Sequence, residues 1–226
     1  MLIVIPEILS PDEVKQCRMA LLSAQWEDGL NTAGYVAADV KKNQQLPLDS
    51  PVAKEIGALI MQRLASHPQF IAAALPAKML PPRFNRYEGG QTYGNHIDNA
   101  IFNVPGTQER IRSDVSSTLF LSPPDEYEGG ELVIEDTYGT QHIKQNAGDL
   151  VVYPGTSLHR VNPVTEGMRL GSFFWTQSMV REAHRRALLW ELDQSIQRLA
   201  HQQTDSSELA RLTGVYHNLI REWAEV

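Results

Sequence analysis

The chain has 226 residues, of which 42% are hydrophobic and 21% charged, and these values are typical of one good-sized globular domain with a substantial core. Its formal net charge of −7 argues against a nucleic-acid partner, because binding to a phosphate backbone needs a basic surface. The single cysteine, Cys17, cannot form an internal disulfide and favours a reducing cytoplasm.

The start of the chain does not resemble a targeting segment. The residues MLIVIPEIL are too few for a signal peptide and lack its basic region and cleavage site. Elsewhere, no apolar run approaches the ~20 residues that a membrane span requires. We therefore expect a soluble, cytoplasmic protein without a membrane partner.

The first fifty residues predict a strand, a helix and a polar region. An edge strand is expected over residues 2–5. Ser10 and Glu13 form a capping box that starts a helix over 11–24. The polar stretch 27–48 predicts a loop with one or two short strands.

Two more helices precede the β-rich part of the chain. The second helix begins at Ser50-Pro51 and ends at His67-Pro68, and a short alanine-rich helix is expected over 70–74. One apolar stripe runs along the second helix at helical spacing: Val52, Ile56, Ile60 and Leu64.

From residue 81 to residue 178 the pattern changes to short β-rich runs separated by glycine, proline and aspartate. The runs cover residues 82–87, 116–121, 131–135, 141–144, 150–153, 160–162 and 170–176. Successive short strands without helices between them predict a double-sheet jelly roll. The expected fold class is therefore mainly β with flanking helices.

Beyond residue 178 the helical period returns. Leu189, Leu192 and Ile196 lie on one stripe, a polar break covers 202–207, and Asp205 caps a last amphipathic helix. The two helices predict an antiparallel hairpin. We thus divide the chain into a jelly-roll domain with N-terminal helices over 1–178, whose catalytic core lies at about 80–178, and a helical appendage over 179–226. A dimerisation element and a lid over the active site are alternative roles for the appendage.

His96 and Asp98 are the first candidate site residues. Side chains two positions apart on an extended segment point to the same side, so an imidazole and a carboxylate face one point. A third imidazole from a later strand would complete a two-histidine, one-carboxylate triad. Such a triad binds one face of a metal and leaves positions open, which suits non-heme Fe(II).

His159 is the candidate third ligand. It follows a predicted buried strand over 150–153 and a short turn. Arg169 comes ten residues later and opens the next β-rich run. An inward-facing arginine there can hold a remote carboxylate of a bound acid, because its planar fork pairs with both carboxylate oxygens.

The order of these motifs resembles that of Fe(II)/2-oxoglutarate dioxygenases of the prolyl- and lysyl-hydroxylase-like group. More narrowly, the whole chain is similar to bacterial PKHD-type hydroxylases, a family associated with iron uptake. The dioxygenase motifs cover roughly residues 80 to 178. The segments that carry the resemblance are Tyr87-Glu88-Gly89-Gly90 through Tyr93, His96 and Asp98, Glu128-Gly129-Gly130-Glu131-Leu132, Gly148 to His159, and Arg169. One departure is that Gly171 stands where some relatives have the serine of an Arg-x-Ser pattern, with Ser172 one place later.

The resemblance implies the site and its reaction. His96, Asp98 and His159 would bind Fe(II) and form the catalytic centre, and Arg169 would pair with the C5 carboxylate of 2-oxoglutarate. Tyr87 and Tyr93 would border this co-substrate. The reaction would consume O2, convert 2-oxoglutarate to succinate and CO2, and hydroxylate an unactivated C–H bond, with L-ascorbate keeping the iron ferrous.

The residues do not identify the primary substrate. The family's link to iron uptake favours a small molecule or a siderophore-like substrate, and the C-terminal helices offer a route to a homo-oligomer. A non-catalytic, cupin-like module that binds a metal or a small molecule is the alternative from another class. An enzyme that uses the triad without 2-oxoglutarate is a second alternative, and neither alternative needs a buried Arg169.

Overall fold

The computed structural model describes residues 1–32, 40–104, 106–136, 139–202 and 205–225; the side chains of residues 31 and 32 are excluded. Parts of the predicted loop over 27–48 and of the polar break over 202–207 lie outside the described residues. Five α-helices are formed in these ranges: α1 Pro11–Leu22, α2 Pro51–Ala65, α3 Pro68–Ala74, α4 Ala183–His201 and α5 Ser206–Trp223. None of these helices is long and apolar enough to cross a bilayer.

The strands fill most of the region between α3 and α4. The early strands are β1 Ile3–Ile5, β2 Glu27–Asp28, β3 Lys41–Lys42, β4 Gln44–Gln45, β5 Pro76–Met79, β6 Arg83–Glu88, β7 Thr92–His96 and β8 Ile101–Asn103. The later strands are β9 Arg110–Arg112, β10 Val115–Phe120, β11 Tyr127–Gly129, β12 Leu132–Asp136, β13 Gly139–Ile143, β14 Leu150–Pro154, β15 Leu158–Val161 and β16 Val164–Ser178.

Two antiparallel sheets form the body of the protein. The major sheet has nine strands, with the central order β1-β14-β10-β16-β6-β4-β2, and β5 and β11 also pair with β16. The minor sheet has the order β13-β12-β15-β7-β3. Between β3 and β4 the chain passes from the minor sheet to the major sheet, which brings Lys41 and Gln45 to facing sheets.

Apolar side chains fill the space on both faces of the major sheet. Phe120 and Val151 of the major sheet pack against Leu132 and Ile134 of the minor sheet. On the opposite face, the stripes of α1, α2 and α3 pack on the major sheet in one cluster. The helices therefore form a third layer, and Cys17 lies buried within it as a small core residue.

The C-terminal helices pack on each other and on α3. Leu75, Val180 and Leu189 form a buried cluster, and Trp223 of α5 packs against it. Asp205 caps α5 by accepting a hydrogen bond from the Ser207 amide at 2.8 Å. The helical pair thus covers an apolar surface next to the end of β16.

The prediction of a mainly β jelly roll with flanking helices and a C-terminal helical pair is confirmed. The capping box of Ser10 and Glu13 and the proline at the start of α2 are also present. The predicted set of strands was incomplete, because five strands were missed: β5, β7, β8, β9 and β11. The strand predicted from Arg160 begins earlier, at Leu158, so that His159 lies inside β15.

Two short strands between β7 and β10 form a hairpin. β8 pairs with β9, and Phe102 stacks on Trp175 with ring centroids 4.0 Å apart. Arg112 ends β9, and Asp114 follows two residues later. Asp114 accepts hydrogen bonds from Arg112 Nε at 2.7 Å and from the Ser178 amide at 2.9 Å, which ties the hairpin to the end of β16.

Candidate active site

His96 and His159 lie opposite each other on two neighbouring strands of the minor sheet. β7 and β15 are antiparallel, and His96 is the register partner of His159. Directly opposed side chains of an antiparallel pair project to the same face. The two imidazole rings consequently lie close together, with centroids 4.2 Å apart.

Both imidazoles are oriented by the same local contact. His96 Nδ1 lies 2.8 Å from the carbonyl oxygen of Gly94, and His159 Nδ1 lies 3.0 Å from that of Ser157. A carbonyl can only accept, so each Nδ1 carries the proton and donates. In the neutral form of either ring, Nε2 then presents a lone pair, which is the form in which histidine binds a metal.

Asp98 lies just beyond β7 and brings the third ligand atom. Its Oδ2 is 3.9 Å from His159 Nε2 and accepts a 2.6 Å hydrogen bond from Ser116 Oγ on β10 of the major sheet. Potential ligand atoms of His96, Asp98 and His159 all lie within 4.8 Å of one another. The structure thus brings together the three residues that the sequence nominated.

The environment keeps the imidazole of His96 neutral. Burial is the largest cause that lowers its pKa, and the nearby His159 adds to it, so that the pKa falls to about 4. Tyr93 stacks on the His96 ring at a centroid distance of 3.6 Å. An irregular register between β7 and β15 places Tyr93 and His96, three residues apart, on one face.

Arg169 is a buried arginine whose charge has no partner among the described residues. It is 1% exposed, and none of its three guanidinium nitrogens has a hydrogen-bond partner among the described residues. Its guanidinium carbon lies 5.2 Å from the Phe120 ring centroid and 5.4 Å from that of Tyr87, its register partner on β6. A buried cation without a partner is costly, so the fold holds a site prepared for an anion.

Gly130 makes room for this arginine. It has a φ of +68°, and a Cβ there would lie 2.8 Å from Val164 Cγ2 and 3.1 Å from Arg169 Cδ. Glycine tolerates both the backbone angle and the close approach.

One cavity of about 300 Å³ connects these groups. The triad, Arg169 and both predicted tyrosines line it. Tyr87 is fully buried and accepts a hydrogen bond from Asn85 Nδ2 at 3.1 Å. Burial raises the pKa of Tyr87, while the Arg169 charge opposes this.

Several cavity residues were missed by sequence reasoning. Ser116, Lys41, Arg83 and Asn85 all line the cavity, and nothing in the sequence linked Ser116 to Asp98. A signal existed for two of them, because strand alternation puts Arg83 and Asn85 on the same face as Tyr87.

Asn85 lies next to Gly171, its register partner on β16. A Cβ at position 171 would lie 3.1 Å from Asn85 Oδ1 and 3.3 Å from Arg169 Nη1. A side chain at position 171 would therefore enter the space between the Arg169 guanidinium and the Asn85 amide. Gly171 thus stands where the Arg-x-Ser pattern has serine, and Asn85 of the neighbouring strand β6 brings a polar side chain to the same place.

The residues fit the groups that the resemblance implies. Two neutral imidazoles and one carboxylate form the donor set of facial non-heme iron sites. The unpartnered guanidinium of Arg169 fits a carboxylate, and the cavity size fits a small dicarboxylic acid.

Two family models match the chain. A model of the 2OG-Fe(II) oxygenase superfamily matches residues 82–177, and a model of the PKHD-type hydroxylase C-terminal domain matches residues 184–225. The first match covers the strands that carry the triad and Arg169, and the second covers the C-terminal helices.

Similar proteins agree with these matches. A PKHD-type hydroxylase of Delftia acidovorans is 59% identical over 225 residues and covers 100% of both chains. The PKHD-type hydroxylase PiuC of Pseudomonas aeruginosa is 58% identical over 226 residues, again with 100% coverage of both. In fold, the chain is similar to a crystal structure of a Pseudomonas putida prolyl-4-hydroxylase, with a TM-score of 0.54 and 20% identity over 78% of this chain and 92% of that one. The chain therefore belongs to the PKHD-type hydroxylases and is a 2-oxoglutarate-dependent non-heme iron dioxygenase.

Proposed function

We propose that His96, Asp98 and His159 are the iron ligands and that Arg169 pairs with the C5 carboxylate of 2-oxoglutarate. The observation that carries this assignment is the buried guanidinium without a partner, which lines the same cavity as the triad. A dicarboxylate that reaches from the metal to Arg169 would compensate this charge. A metal-binding module that did not take an organic acid would have no use for it.

Three tyrosines have separate roles in this proposal. Tyr87 lies beside Arg169 and would contact the C5 carboxylate end of the co-substrate. Tyr127 packs in one buried cluster with Tyr87, and its hydroxyl has no hydrogen-bond partner among the described residues, so we propose that it donates to the same carboxylate. Tyr93 packs on His96 and would hold that imidazole in place beside the co-substrate.

Bound Fe(II) would supply O2 activation coupled to decarboxylation of 2-oxoglutarate. The chain's own residues hold the ligands and exclude water. Gly94 and Ser157 fix the imidazole tautomers through their carbonyl groups, Ser116 orients Asp98, and the aromatic rings beside the triad keep the centre dry.

The reaction that we propose is hydroxylation of a small molecule or siderophore-like substrate, with a role in iron uptake. The support is the family's association with that process and the cavity of about 300 Å³, whose volume suits a small molecule. By similarity to related hydroxylases, we propose that L-ascorbate sustains turnover by keeping the iron ferrous.

The division into a dioxygenase domain over 1–178 and an appendage over 179–226 stays a prediction, and so does a homo-oligomer formed through the C-terminal helices. Leu188 of α4 and Val215 of α5 are exposed apolar residues that support such an interface. A cytoplasmic location is likewise proposed, and the lone, buried Cys17 is compatible with it.

Binding of 2-oxoglutarate to the Mn(II)-loaded protein tests the proposed site, because Mn(II) replaces Fe(II) without redox chemistry. The wild type should bind 2-oxoglutarate, and Arg169→Met should bind it much more weakly while it still takes up Mn(II). Fractions of a cell extract are then added to the Fe(II)-loaded enzyme. A fraction that stimulates succinate formation contains the primary substrate. Absence of 2-oxoglutarate binding in the wild type would refute the assignment.

A further inference from the structure

The carbonyl group of Asp114 joins helix α4 to the turn that precedes β15. It accepts a hydrogen bond from the Gly155 amide at 3.1 Å and another from Arg186 Nη2 at 3.0 Å. Gly155 lies in the same turn as Ser157, whose carbonyl oxygen orients the His159 ring. One carbonyl group therefore links the C-terminal helices to the segment that leads into a proposed iron ligand.

Ser113, the residue before Asp114, holds the segment that follows Asp98. Its amide donates to the Ala100 carbonyl at 2.9 Å, and its hydroxyl donates to the Asn99 carbonyl at 2.5 Å. Ser113 is 7% exposed, so these bonds are shielded from competing water. Ser113 and Asp114 thus contact the chain next to two of the three proposed ligands.

Arg186 is the residue of α4 that reaches this point, and it is 4% exposed. Its Nη1 donates to the carbonyls of Val180 and Arg181 at 2.8 and 2.6 Å, in the link between β16 and α4. Its Nη2 donates to Asp114. Because a guanidinium carries its donors in a rigid planar fork, it fixes these three carbonyl groups relative to one another.

A second contact joins the same parts of the protein nearer the surface. Glu225, just beyond α5, accepts a hydrogen bond from Arg112 Nη1 at 3.3 Å, and its amide donates to the Met179 carbonyl at 2.8 Å. The Glu225 side chain is 55% exposed. Exposed ion pairs contribute little free energy, so we expect the buried Arg186 to be the stronger of the two links.

We propose that Arg186 is a positioning residue for the metal centre, because it fixes Asp114 and, through it, the segments next to Asp98 and His159. This proposal rests on the proposed function, since it takes Asp98 and His159 as iron ligands. Arg186 does not line the cavity, so its effect reaches the metal through the backbone. The C-terminal helices would thus contribute to metal binding although they supply no ligand.

Titration of Arg186→Met with Mn(II) tests this proposal without turnover. The Mn(II) affinity should fall by about two- to thirtyfold, the range expected when a residue acts on a site through its neighbours. In the metal-free protein, hydrogen exchange at the Gly155 amide should become faster, because its acceptor on Asp114 is less firmly held. Circular dichroism at the same temperature checks that the variant is folded.

The neighbouring arginine of α4 provides a matched control. Arg185 pairs with Glu182 at 3.5 Å, and its guanidinium carbon lies 5.3 Å from the Trp223 ring centroid. Arg185→Met therefore disturbs the packing of the helical pair without removing the bond to Asp114. It should bind Mn(II) with wild-type affinity.

Two further variants keep the test informative if Arg186→Met does not fold. Arg186→Lys retains a cation and should keep part of the Mn(II) affinity, because an ammonium cannot reproduce the fork. Ser113→Ala removes the hydroxyl that holds Asn99 and leaves the C-terminal helices untouched. It should also weaken Mn(II) binding.

The outcomes separate this inference from the proposed function. If the wild type itself does not bind Mn(II), the proposed function is wrong. If the wild type binds Mn(II), wild-type affinity in a folded Arg186→Met or in Ser113→Ala overturns the positioning role and leaves the proposed function standing. An equal loss of affinity in Arg185→Met would also overturn it, because general loosening of the helices would then be the cause.

Discussion

Ser116 Oγ donates a hydrogen bond of 2.6 Å to Asp98 Oδ2, and this contact joins the two sheets at the candidate metal site. Ser116 lies on β10 of the major sheet, whereas Asp98 follows β7 of the minor sheet. The bond occupies one oxygen lone pair of the carboxylate and restrains its rotation. The position of a proposed iron ligand therefore depends on how the sheets pack.

Ser116→Ala should weaken Mn(II) binding by about 10- to 100-fold, the usual cost of losing a contact that orients a metal ligand. Isothermal titration with Mn(II) measures this change. Ser117→Ala is the control, because the Ser117 hydroxyl has no hydrogen-bond partner among the described residues. If Ser116→Ala bound Mn(II) as tightly as Ser117→Ala, Asp98 would need no support from the major sheet.

Loss of any one proposed ligand should abolish Mn(II) binding and turnover without unfolding the chain. His96→Ala, Asp98→Ala and His159→Ala each leave two protein ligands, which cannot hold the ion against solvent. Titration with Mn(II) and circular dichroism of the same samples check affinity and fold. His142→Ala on the exposed face of β13 should behave like the wild type. A variant that retained full affinity would remove its residue from the ligand set.

Local signals predicted much of this fold. Caps such as that of Ser10 start helices through contacts a few residues away, so they are visible in the sequence. β7 was missed because Thr-Tyr-Gly-Asn-His contains poor strand formers, and its pairing with β15 and β3 decides its conformation.

Part of the candidate site was also predicted from local signals, and part was not. His96 and Asp98 are near neighbours in sequence, and strand spacing suggested His159 and Arg169. Ser116 and Lys41 reach the cavity from strands far apart in the chain. Which face each side chain takes, and which sheets meet there, follow from tertiary packing that one sequence does not reveal.

Leu188 and Leu189 provide a matched test of the C-terminal pair. Leu189 is fully buried against Leu75 and Val180, whereas Leu188 is 58% exposed. Leu189→Ala should lower the free energy of unfolding by about 2–5 kcal/mol, while Leu188→Ala should change it by no more than about 0.5 kcal/mol. Urea unfolding measures both. Similar values for the two variants would mean that α4 does not pack as described.

Lys41 should make stability depend on alkaline pH. Burial lowers its folded pKa from 10.5 to about 8, so within this window the unfolded chain keeps a proton that the folded chain has lost. The free energy of unfolding of the wild type should therefore rise with pH relative to that of Lys41→Met. Urea unfolding of the metal-free proteins from pH 8 to pH 10.5 tests the sign. Lys42→Met removes an exposed lysine and is the control. The difference in free energy of unfolding between the wild type and Lys42→Met should not change with pH over this range.

Arg169 decides whether the cavity binds 2-oxoglutarate as proposed. A forked pair with a carboxylate contributes roughly 1.5–3 kcal/mol per charge-assisted hydrogen bond. Arg169→Met, which keeps most of the side-chain volume, should weaken 2-oxoglutarate binding by about one to three orders of magnitude. Arg169→Lys should restore only part of the affinity, because an ammonium lacks the fork. Mn(II) affinity should stay near that of the wild type, since the three proposed ligands are untouched.

Arg160→Met, which removes an arginine paired with Glu135 next to His159, is the control and should leave 2-oxoglutarate affinity unchanged. If Arg169→Met bound 2-oxoglutarate as tightly as the wild type, the co-substrate would have to be held elsewhere, and Arg83 and Lys41 would be the cations to examine.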